Sequence, residues 1–246
     1  MNKFTVGAIA VILLAFGGLV AWSSLNSGNK TDYSHYDASK VIAADENNGN
    51  IADHVRGKED STVVLVEYAD LQCPGCATMM PKISELTKEY GDRVAFIFRN
   101  YPISGHQNAR AASAAAEAAG QQGYFWPMIE TMYDNRNDWI SVFDTEKRTD
   151  IFVNFFKDVA GEKGDVEQFK SMLGDANIQK KIDFDKNIGS KNDGITATPS
   201  FFVNGKAVNI EENGKEAKEL IESAINDALK EAGLETGPKK EDEKTE

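Results

Sequence analysis

Cysteine is scarce in this sequence, with two residues among 246, and both lie in the tetrapeptide Cys73-Pro74-Gly75-Cys76. Because neither cysteine has another partner, a scaffold stapled by several disulfides is excluded. Positively charged residues are also few relative to negatively charged ones. The sequence has 27 Lys and Arg residues and 39 Asp and Glu residues, which give a formal net charge of −12. Nucleic-acid binding needs a basic face, so we expect no nucleic-acid partner.

Long apolar runs are nearly absent, and the exception is residues 4–22 (FTVGAIAVILLAFGGLVAW). A single run excludes a multi-span membrane protein. Its length approaches the roughly 20 residues that cross a hydrocarbon core and exceeds the roughly 7 to 15 of a cleavable signal peptide. The sequence therefore predicts a single-pass membrane anchor within residues 1–25, with a cleaved signal and a secreted protein as the alternative. Either way, the rest of the chain is expected outside the cytoplasm.

The remaining sequence predicts one domain with appendages. Residues 26–50 are polar and rich in Asn, Gly and Asp, which indicates a tether with at most a short helix near residues 38–44. A domain of ordinary size is expected over residues 51–233. Residues 234–246 are charged and lack aromatic side chains, which predicts a disordered tail. Neither appendage gives a reason to expect more than a monomer.

The two cysteines lie between a predicted strand and a predicted helix. Residues 62–68 (TVVLVEY) are nearly all apolar or β-branched, which is typical of a strand buried on both faces. Apolar residues recur at helical spacing over residues 81–90, and residues 93–101 are a second strand candidate. A strand, a turn, a helix and a strand form a βαβ unit with C-x-x-C at the helix N-terminus.

The second half of the chain predicts a helical insert followed by a hairpin. The insert covers about residues 105–190, with helices expected at 108–120, 124–133, 144–160 and 165–173. Asn204-Gly205 then separates two short apolar runs, which is a strong hairpin signal. An amphipathic helix over residues 214–232 closes the fold. The pattern predicts an α/β fold with a helical insertion between its βαβ and ββα halves.

The C-x-x-C pair is the candidate for chemistry. A cysteine at a helix N-terminus faces unpaired N–H groups and the positive end of the dipole, which lowers its pKa. Cys73 is therefore the predicted nucleophile, and Cys76 is placed to form a disulfide with it and to resolve a mixed disulfide. Pro74 limits backbone freedom at the helix start.

Two other interpretations of the cysteine pair stay open. One is an inert structural disulfide, although so small a loop adds little stability. The other is half of a zinc site, for which the three histidines offer no paired ligand spacing: His35, His54 and His106. We expect neither a metal nor an organic cofactor.

Two further features are candidates for the site. Pro199 precedes a strand, so a cis Thr198–Pro199 bond in a tight turn facing the cysteines is attractive, with a trans loop proline as the alternative. Glu67 interrupts an apolar strand six residues before Cys73. A buried carboxylate there would take up or relay the proton of the buried thiol, whereas a solvated carboxylate at a sheet edge is the alternative.

Taken together, these residues resemble the DsbA-like branch of the thioredoxin superfamily, particularly its membrane-tethered or secreted bacterial members. The matching stretches cover most of residues 51–232: DHVRG (53–57), VVLVEYADLQCPGC (63–76), GHQNARAASAAAEAAG (105–120), GYFW (123–126) and TPSFFVNG (198–205). The resemblance implies a thioredoxin core with Cys73 as the attacking and attacked sulfur and Cys76 as the resolving sulfur. It implies that Thr198 and Pro199 form the edge that pairs with the backbone of a substrate protein. It also implies that Glu67 occupies the family's buried acid position.

The implied function is that of an extracytoplasmic thiol:disulfide oxidoreductase that introduces disulfides into exported proteins. Its reoxidation would require a quinone-linked membrane partner, DsbB-like or VKOR-like. Two alternatives remain, namely a reductase or isomerase of the same fold supplied by a membrane electron donor, and a tethered, non-catalytic peptide-binding or chaperone module.

Two positions depart from the family pattern. The best known oxidases have histidine where this chain has Gly75, so one donor that tunes the redox potential is missing, and Ala197 replaces a common glycine. Potentials run from about −120 mV for DsbA to about −270 mV for thioredoxin, and we expect an intermediate value.

Overall fold

A computed structural model describes residues 32–211 and 216–239, and within them five strands form one mixed sheet. The spatial order is β1-β3-β2-β4-β5, with β2 and β3 parallel and the other neighbours antiparallel. The central strands β2 and β3 are buried along their whole length, as the nearly continuous apolar runs predict. The strands are β1 His54–Gly57, β2 Val63–Ala69, β3 Val94–Asn100, β4 Ser200–Val203 and β5 Lys206–Val208.

Seven α-helices lie in the part of the chain that the structure describes, and five of them form the insert between β3 and β4. The insert and its position agree with the predicted α/β fold. The helices are α1 Pro74–Tyr90, α2 Ala109–Gly120, α3 Phe125–Asp134, α4 Thr145–Ala160, α5 Val166–Met172, α6 Ala176–Lys191 and α7 Ala217–Glu231.

The sheet separates two hydrophobic clusters. Because side chains of a strand alternate between faces, Val63 and Leu65 of β2 join the larger cluster with α1, while Val64 and Val66 join the smaller one with α6. Glu67 has the same parity as Leu65, so it points to the face covered by α1. That helix has Cys73 as its N-cap residue and Cys76 in its first turn.

Helix α6 was not predicted, because charged residues occupy part of its buried face. Lys181 lies 3.0 Å from a carboxylate oxygen of Asp53 and 2.8 Å from one of Asp185, and Arg99 of β3 donates to Asp53 at 2.7 Å. Burial raises the pKa of Asp53, but the charges of Arg99 and Lys181 outweigh it and hold that pKa below its usual range. A helix that buries an ion-pair network lacks the regular apolar stripe that sequence reasoning detects.

The segment before β1 packs on the domain, which corrects the tether expected over residues 26–50 from Tyr33 onward. The rings of Tyr33 and Tyr36 lie 5.8 and 4.7 Å from the ring of Phe184 in α6, and Ile42 is buried. In place of a short helix near residues 38–44, the segment has a 3-10 turn at Glu46–Asn48.

The polar groups of this segment pair with the domain. Arg99 donates to the carbonyl oxygens of Ala38 and Lys40 at 2.7 and 2.8 Å. The amide of Ile42 donates to the buried carboxylate of Asp53 at 2.9 Å. Composition alone does not show such pairing, which is why a polar segment was interpreted as a solvated tether.

The chain after α7 is also ordered for several residues, which corrects part of the predicted disordered tail. The amide of Lys239 donates to the carbonyl of Glu89 at 2.8 Å, and Arg93 donates to the carbonyls of Glu235 and Gly237 at 2.8 and 2.9 Å. Residues 240–246 and the predicted anchor lie outside the described residues. Of the helices that are described, none combines the length and the apolar character needed to cross a bilayer.

Candidate active site

Cys73 is the N-cap residue of α1, and Pro74 is the first helical residue. The backbone of Cys73 is extended, with φ −71° and ψ 128°, and no side-chain hydrogen bond caps the helix. Four N–H groups at a helix start have no partner within the helix. The sulfur of Cys73 therefore lies at the positive end of the helix dipole, where a thiolate is stabilised.

The two cysteines differ sharply in acidity. A hydrogen bond from Cys76 and the backbone N–H groups of Cys76 and Gly75 lower the pKa of Cys73 to about 5, although its burial acts in the opposite direction. Burial, together with the hydrogen bond to Cys73, raises the pKa of Cys76 well above its usual value. The cysteines are not bonded to each other, so the structure describes the dithiol form. At neutral pH, Cys73 is a thiolate and Cys76 a thiol.

The loop before β4 faces the nucleophile. The Thr198–Pro199 bond is cis, and the carbonyl oxygen of Thr198 lies 3.4 Å from the Cys73 sulfur. A Cβ atom on Gly75 would lie 3.2 Å from Cδ of Pro199 and 3.7 Å from the Cys73 sulfur. Glycine at position 75 thus lets this loop approach α1 closely. The structure brings together Cys73, Gly75, Thr198 and Pro199, which are far apart in sequence.

The side chain of Thr198 carries a hydroxyl group near Cys73. Its hydroxyl oxygen is buried and, among the described residues, has no hydrogen-bond partner of good geometry. The same side chain nevertheless contributes to the lowered pKa of Cys73. A thiolate accepts a hydrogen bond more strongly than a thiol. We therefore expect the Thr198 hydroxyl to donate a hydrogen bond to Cys73 when that sulfur is ionised.

Thr198→Val, which keeps the shape but removes the hydroxyl, is expected to raise the pKa of Cys73 by about half a unit to one unit, the equivalent of one net hydrogen bond. The pH dependence of thiolate absorbance in the ultraviolet measures this pKa. Ser200→Ala is the matched control, because the Ser200 hydroxyl donates to the carbonyl of Ala197 at 2.8 Å. An unchanged Cys73 pKa in Thr198→Val would contradict the assignment.

Glu67 lies in the middle of the sheet, so the alternative of a solvated edge carboxylate is wrong. Its partners in the strand register are Phe98 of β3 and Phe201 of β4, and it is 3% exposed. Burial and the charge of Cys73 raise the pKa of Glu67 to about 8. The carboxyl group is therefore mostly protonated at neutral pH, and it can exchange a proton with its surroundings at that pH.

Sequence reasoning missed Tyr133 and Asp70. Tyr133 of α3 is buried, and its hydroxyl donates to the carbonyl of Asp70 at 3.3 Å. Burial and the charges of Cys76 and Glu67 raise the pKa of Tyr133 well above its usual value, which places its hydroxyl in the same buried region. No sequence signal links Tyr133 to the cysteines, because Tyr133 belongs to the helical insert and lies far from Cys73 along the chain.

The arrangement suits thiol–disulfide exchange. A stabilised thiolate, a buried second thiol and a protonated carboxyl group lie within one region, and the thiolate is 8% exposed. Over the described residues, no group of three His, Cys, Asp or Glu side chains is arranged to hold a metal ion.

Comparisons with known proteins identify similar sequences. Residues 49–223 match the family described as thioredoxin. The Na(+)/H(+) antiporter NhaA 1 of Mycolicibacterium vanbaalenii is 32% identical over 158 residues, which are 62% of this chain and 23% of the antiporter. The antiporter NhaA 1 of Salinispora arenicola is 29% identical over 190 residues, 76% of this chain and 26% of the antiporter. The chain thus spans about a quarter of the length of these relatives.

Solved structures give similar folds. Oxidised BdbD from Bacillus subtilis has a TM-score of 0.61 and 24% identity, covering 78% of this chain and 99% of BdbD. DsbA2 from Pseudomonas aeruginosa has a TM-score of 0.52 and 26% identity, covering 73% of this chain and 96% of DsbA2. The alpha-DsbA1 of Wolbachia pipientis has a TM-score of 0.56 and 21% identity over 73% of this chain and 94% of that protein.

Proposed function

We propose that this chain, which belongs to the thioredoxin family and has a DsbA-like fold, is a protein thiol:disulfide oxidoreductase that introduces disulfides into exported proteins. The observation that carries the proposal is the placement of Cys73 as the N-cap residue of α1 with Cys76 fully buried in the first turn, which makes the acidities of the two thiols unequal. A thiolate that is stable when released is a good leaving group, and its stability in the dithiol form makes the disulfide more oxidising.

The proposed reaction starts from the Cys73–Cys76 disulfide. A substrate thiolate attacks the sulfur of Cys73, the bond between the cysteines breaks, and Cys76 leaves with the electron pair. A second substrate thiolate then attacks the substrate sulfur of the mixed disulfide and releases Cys73 as a thiolate. The substrate loses two electrons and forms one disulfide, while the protein gains two electrons and becomes the dithiol.

Glu67 is the proposed proton carrier for Cys76. Cys76 is fully buried, so its thiolate is costly and takes up a proton on leaving. Glu67 is buried on the same face of the sheet, and its pKa of about 8 in the dithiol form is suited to proton exchange near neutral pH. Its role is to supply that proton during reduction and to take it back during reoxidation.

The loop of Thr198 and Pro199 is the proposed substrate edge. It lies directly over Cys73, and Pro199 has no N–H of its own. An extended substrate segment that pairs with the backbone before Pro199 would bring a neighbouring substrate sulfur to Cys73. Substrate recognition would then depend on backbone hydrogen bonds, which many different substrate sequences can form.

The cellular setting is also part of the proposal. The apolar run of residues 4–22 supports attachment to the membrane with the domain on the extracytoplasmic side. Because each reaction leaves a dithiol, a quinone-linked membrane partner of the DsbB-like or VKOR-like kind is required to regenerate the disulfide. The absence of a third cysteine supports this setting, since a stray thiol would compete for the catalytic disulfide.

The activity is tested by oxidative refolding. The disulfide form is incubated with a reduced, unfolded protein whose activity depends on several native disulfides. We expect the substrate to regain activity while the oxidoreductase accumulates as the dithiol. A substrate that stays reduced beside a protein that stays oxidised would contradict the proposal.

A further inference from the structure

Arg136 contacts the residue that precedes the nucleophile. It begins the 3-10 turn Arg136–Asp138 that follows α3, so it belongs to the helical insert. Its Nε donates to the carbonyl oxygen of Gln72 at 3.0 Å, and its Nη2 donates to the same oxygen. That carbonyl belongs to the peptide group that joins Gln72 to Cys73. Two donors of one planar guanidinium therefore hold the peptide that leads into the nucleophile.

Covalent geometry brings this guanidinium close to the sulfur of Cys73. The Gln72 carbonyl oxygen and the Cys73 sulfur are joined through one peptide bond and the cysteine side chain, which limits their separation to about 6 Å. Because Nε and Nη2 are in hydrogen-bond contact with that oxygen, they lie within about 9 Å of the sulfur. Arg136 is half-buried, so water screens its charge only in part.

Among the described residues, no carboxylate is paired with Arg136. The acidic residues nearest to it along the chain, Asp134 and Asp138, are exposed. Four other arginines do form ion pairs with carboxylates, namely Arg56, Arg93, Arg99 and Arg110. Arg136 instead donates to a neutral carbonyl beside the N-terminus of α1, where the helix dipole disfavours a cation. The Cys73 thiolate of the dithiol form is a negative group that offsets this cost.

We propose that Arg136 is a positioning residue for the redox reaction, whose hydrogen bonds hold the peptide before Cys73 and whose charge stabilises the Cys73 thiolate. The inference rests on the proposed redox function of Cys73 and Cys76. The thiolate exists in the dithiol form and not in the disulfide form. The charge of Arg136 therefore favours the dithiol form, which makes the disulfide more oxidising.

The other ionisable groups around the dithiol stay in place when Arg136 is replaced. Glu67 of β2 and Tyr133 of α3 both interact with the charge of the nucleophile. The buried carboxylate of Asp70 lies 2.7 Å from Nδ1 of His106. Each of these groups is common to the wild-type protein and to a variant at position 136. The difference between the two proteins therefore reports the contribution of Arg136.

The test measures two quantities in R136Q and in the wild-type protein. They are the pKa of Cys73, from thiolate absorbance in the ultraviolet, and the equilibrium between dithiol and disulfide in glutathione buffers at pH 7. One charge at about 9 Å, at an effective dielectric constant of about 30 to 80, changes an equilibrium about two- to tenfold. We expect R136Q to raise the pKa of Cys73 by about 0.3 to 1 unit. The glutathione equilibrium should move toward the disulfide form by the same two- to tenfold factor.

Two further measurements separate the charge of Arg136 from its hydrogen bonds. R136K keeps a positive charge but lacks the planar fork, so its Cys73 pKa is expected between those of the wild type and R136Q. Salt screens charges that are about 9 Å apart, because the Debye length falls to about 3 Å at an ionic strength of about 1 M. The pKa difference between R136Q and wild type should therefore shrink at that ionic strength.

R110Q is the matched control, because it removes the same charge from the insert at a site whose partners lie on α6. Nη1 of Arg110 lies 2.6 Å from a carboxylate oxygen of Asp183, and Nε donates to the side chain of Gln179 at 2.7 Å. We expect the Cys73 pKa and the glutathione equilibrium of R110Q to match those of the wild type. If Arg136 only supports the fold, R136Q would lower the stability to urea and leave the Cys73 pKa unchanged.

Four outcomes would overturn the inference: an unchanged Cys73 pKa in R136Q, an equal change in R110Q, an R136K change as large as that of R136Q, or a difference that persists at high salt. If R136Q does not fold, R136M takes its place in the same comparison. A wild-type protein that exchanges no disulfide with glutathione would instead refute the proposed function. The Cys73 pKa would still test the role of Arg136 in that case, so the two failures are distinguishable.

Discussion

Cys73→Ser is expected to abolish disulfide transfer and to reduce refolding of a reduced substrate to the uncatalysed rate. Serine forms no disulfide, and the remaining cysteine is fully buried with a pKa raised well above its usual value. At pH 7 the thiolate fraction falls from nearly complete, for a pKa of about 5, to less than about 1%. Alkylation of the protein by iodoacetamide should therefore slow by at least about 100-fold.

Cys76→Ser is the matched variant for this comparison. It also prevents the internal disulfide, but it retains Cys73 at the helix N-terminus and a hydroxyl where the Cys76 thiol stands. We expect rapid alkylation. With oxidised glutathione, the Cys73 thiolate attacks the glutathione disulfide and releases one glutathione thiolate, and the resulting mixed disulfide accumulates because no other thiol within the protein resolves it. Equal alkylation rates in the two variants would show that the assignment of Cys73 as the nucleophile is wrong.

The second large effect is a pH-dependent difference in stability between the two redox forms. The pKa of Cys73 is lowered from 9.0 to about 5 in the folded dithiol form. The unfolded chain therefore binds more protons between these values, and the stability of the dithiol form rises with pH across this range and is lost as pH falls toward 5. The disulfide form has no thiol to titrate, so the difference between the forms reports mainly on Cys73.

Glu67 acts in the opposite direction and reduces the observed difference. Its pKa is raised to about 8, so ionising it costs stability as pH rises from about 4.5. Burial causes most of this shift and is common to both forms, whereas the part due to the Cys73 charge belongs to the dithiol form. We expect the dithiol form to gain about 3 kcal/mol relative to the disulfide form between pH 5 and pH 8.

Urea denaturation of the reduced and oxidised protein at several pH values measures this gain. The expected curves of unfolding free energy diverge as pH rises, with the dithiol form the more stable at neutral pH. Parallel curves would mean that folding does not stabilise the Cys73 thiolate. The proposed reason for an oxidising disulfide would then be wrong.

The predictable part of the fold is the part in which local pattern and tertiary environment agree. Strands β2 and β3 are buried on both faces, so their apolar runs are visible in the sequence. Helix α6 buries Lys181 and Asp185, and strand β1 has only four residues, so neither produces a regular pattern. The packing of residues 33–50 depends on partners such as Arg99, which lie far along the chain.

The residues of the candidate site also divide into those that a local motif predicts and those that depend on tertiary contacts. Cys73, Cys76 and Pro74 form a local motif, and their position at a helix start follows from the flanking pattern. The two interpretations of Glu67 could not be separated, because the choice depends on which strands flank β2. The hydrogen bond of Tyr133 to the carbonyl of Asp70 is a tertiary contact made from within the insert, and the spacing of residues along the chain does not indicate it.

The most direct test of the account is the reduction potential of the Cys73–Cys76 pair, measured by equilibration with glutathione. The lowered pKa of Cys73 and the missing donor at Gly75 together predict a value between the about −120 mV of DsbA and the about −270 mV of thioredoxin. A potential in that interval would support a protein that donates disulfides. A potential close to that of thioredoxin would contradict the account and indicate a reductase.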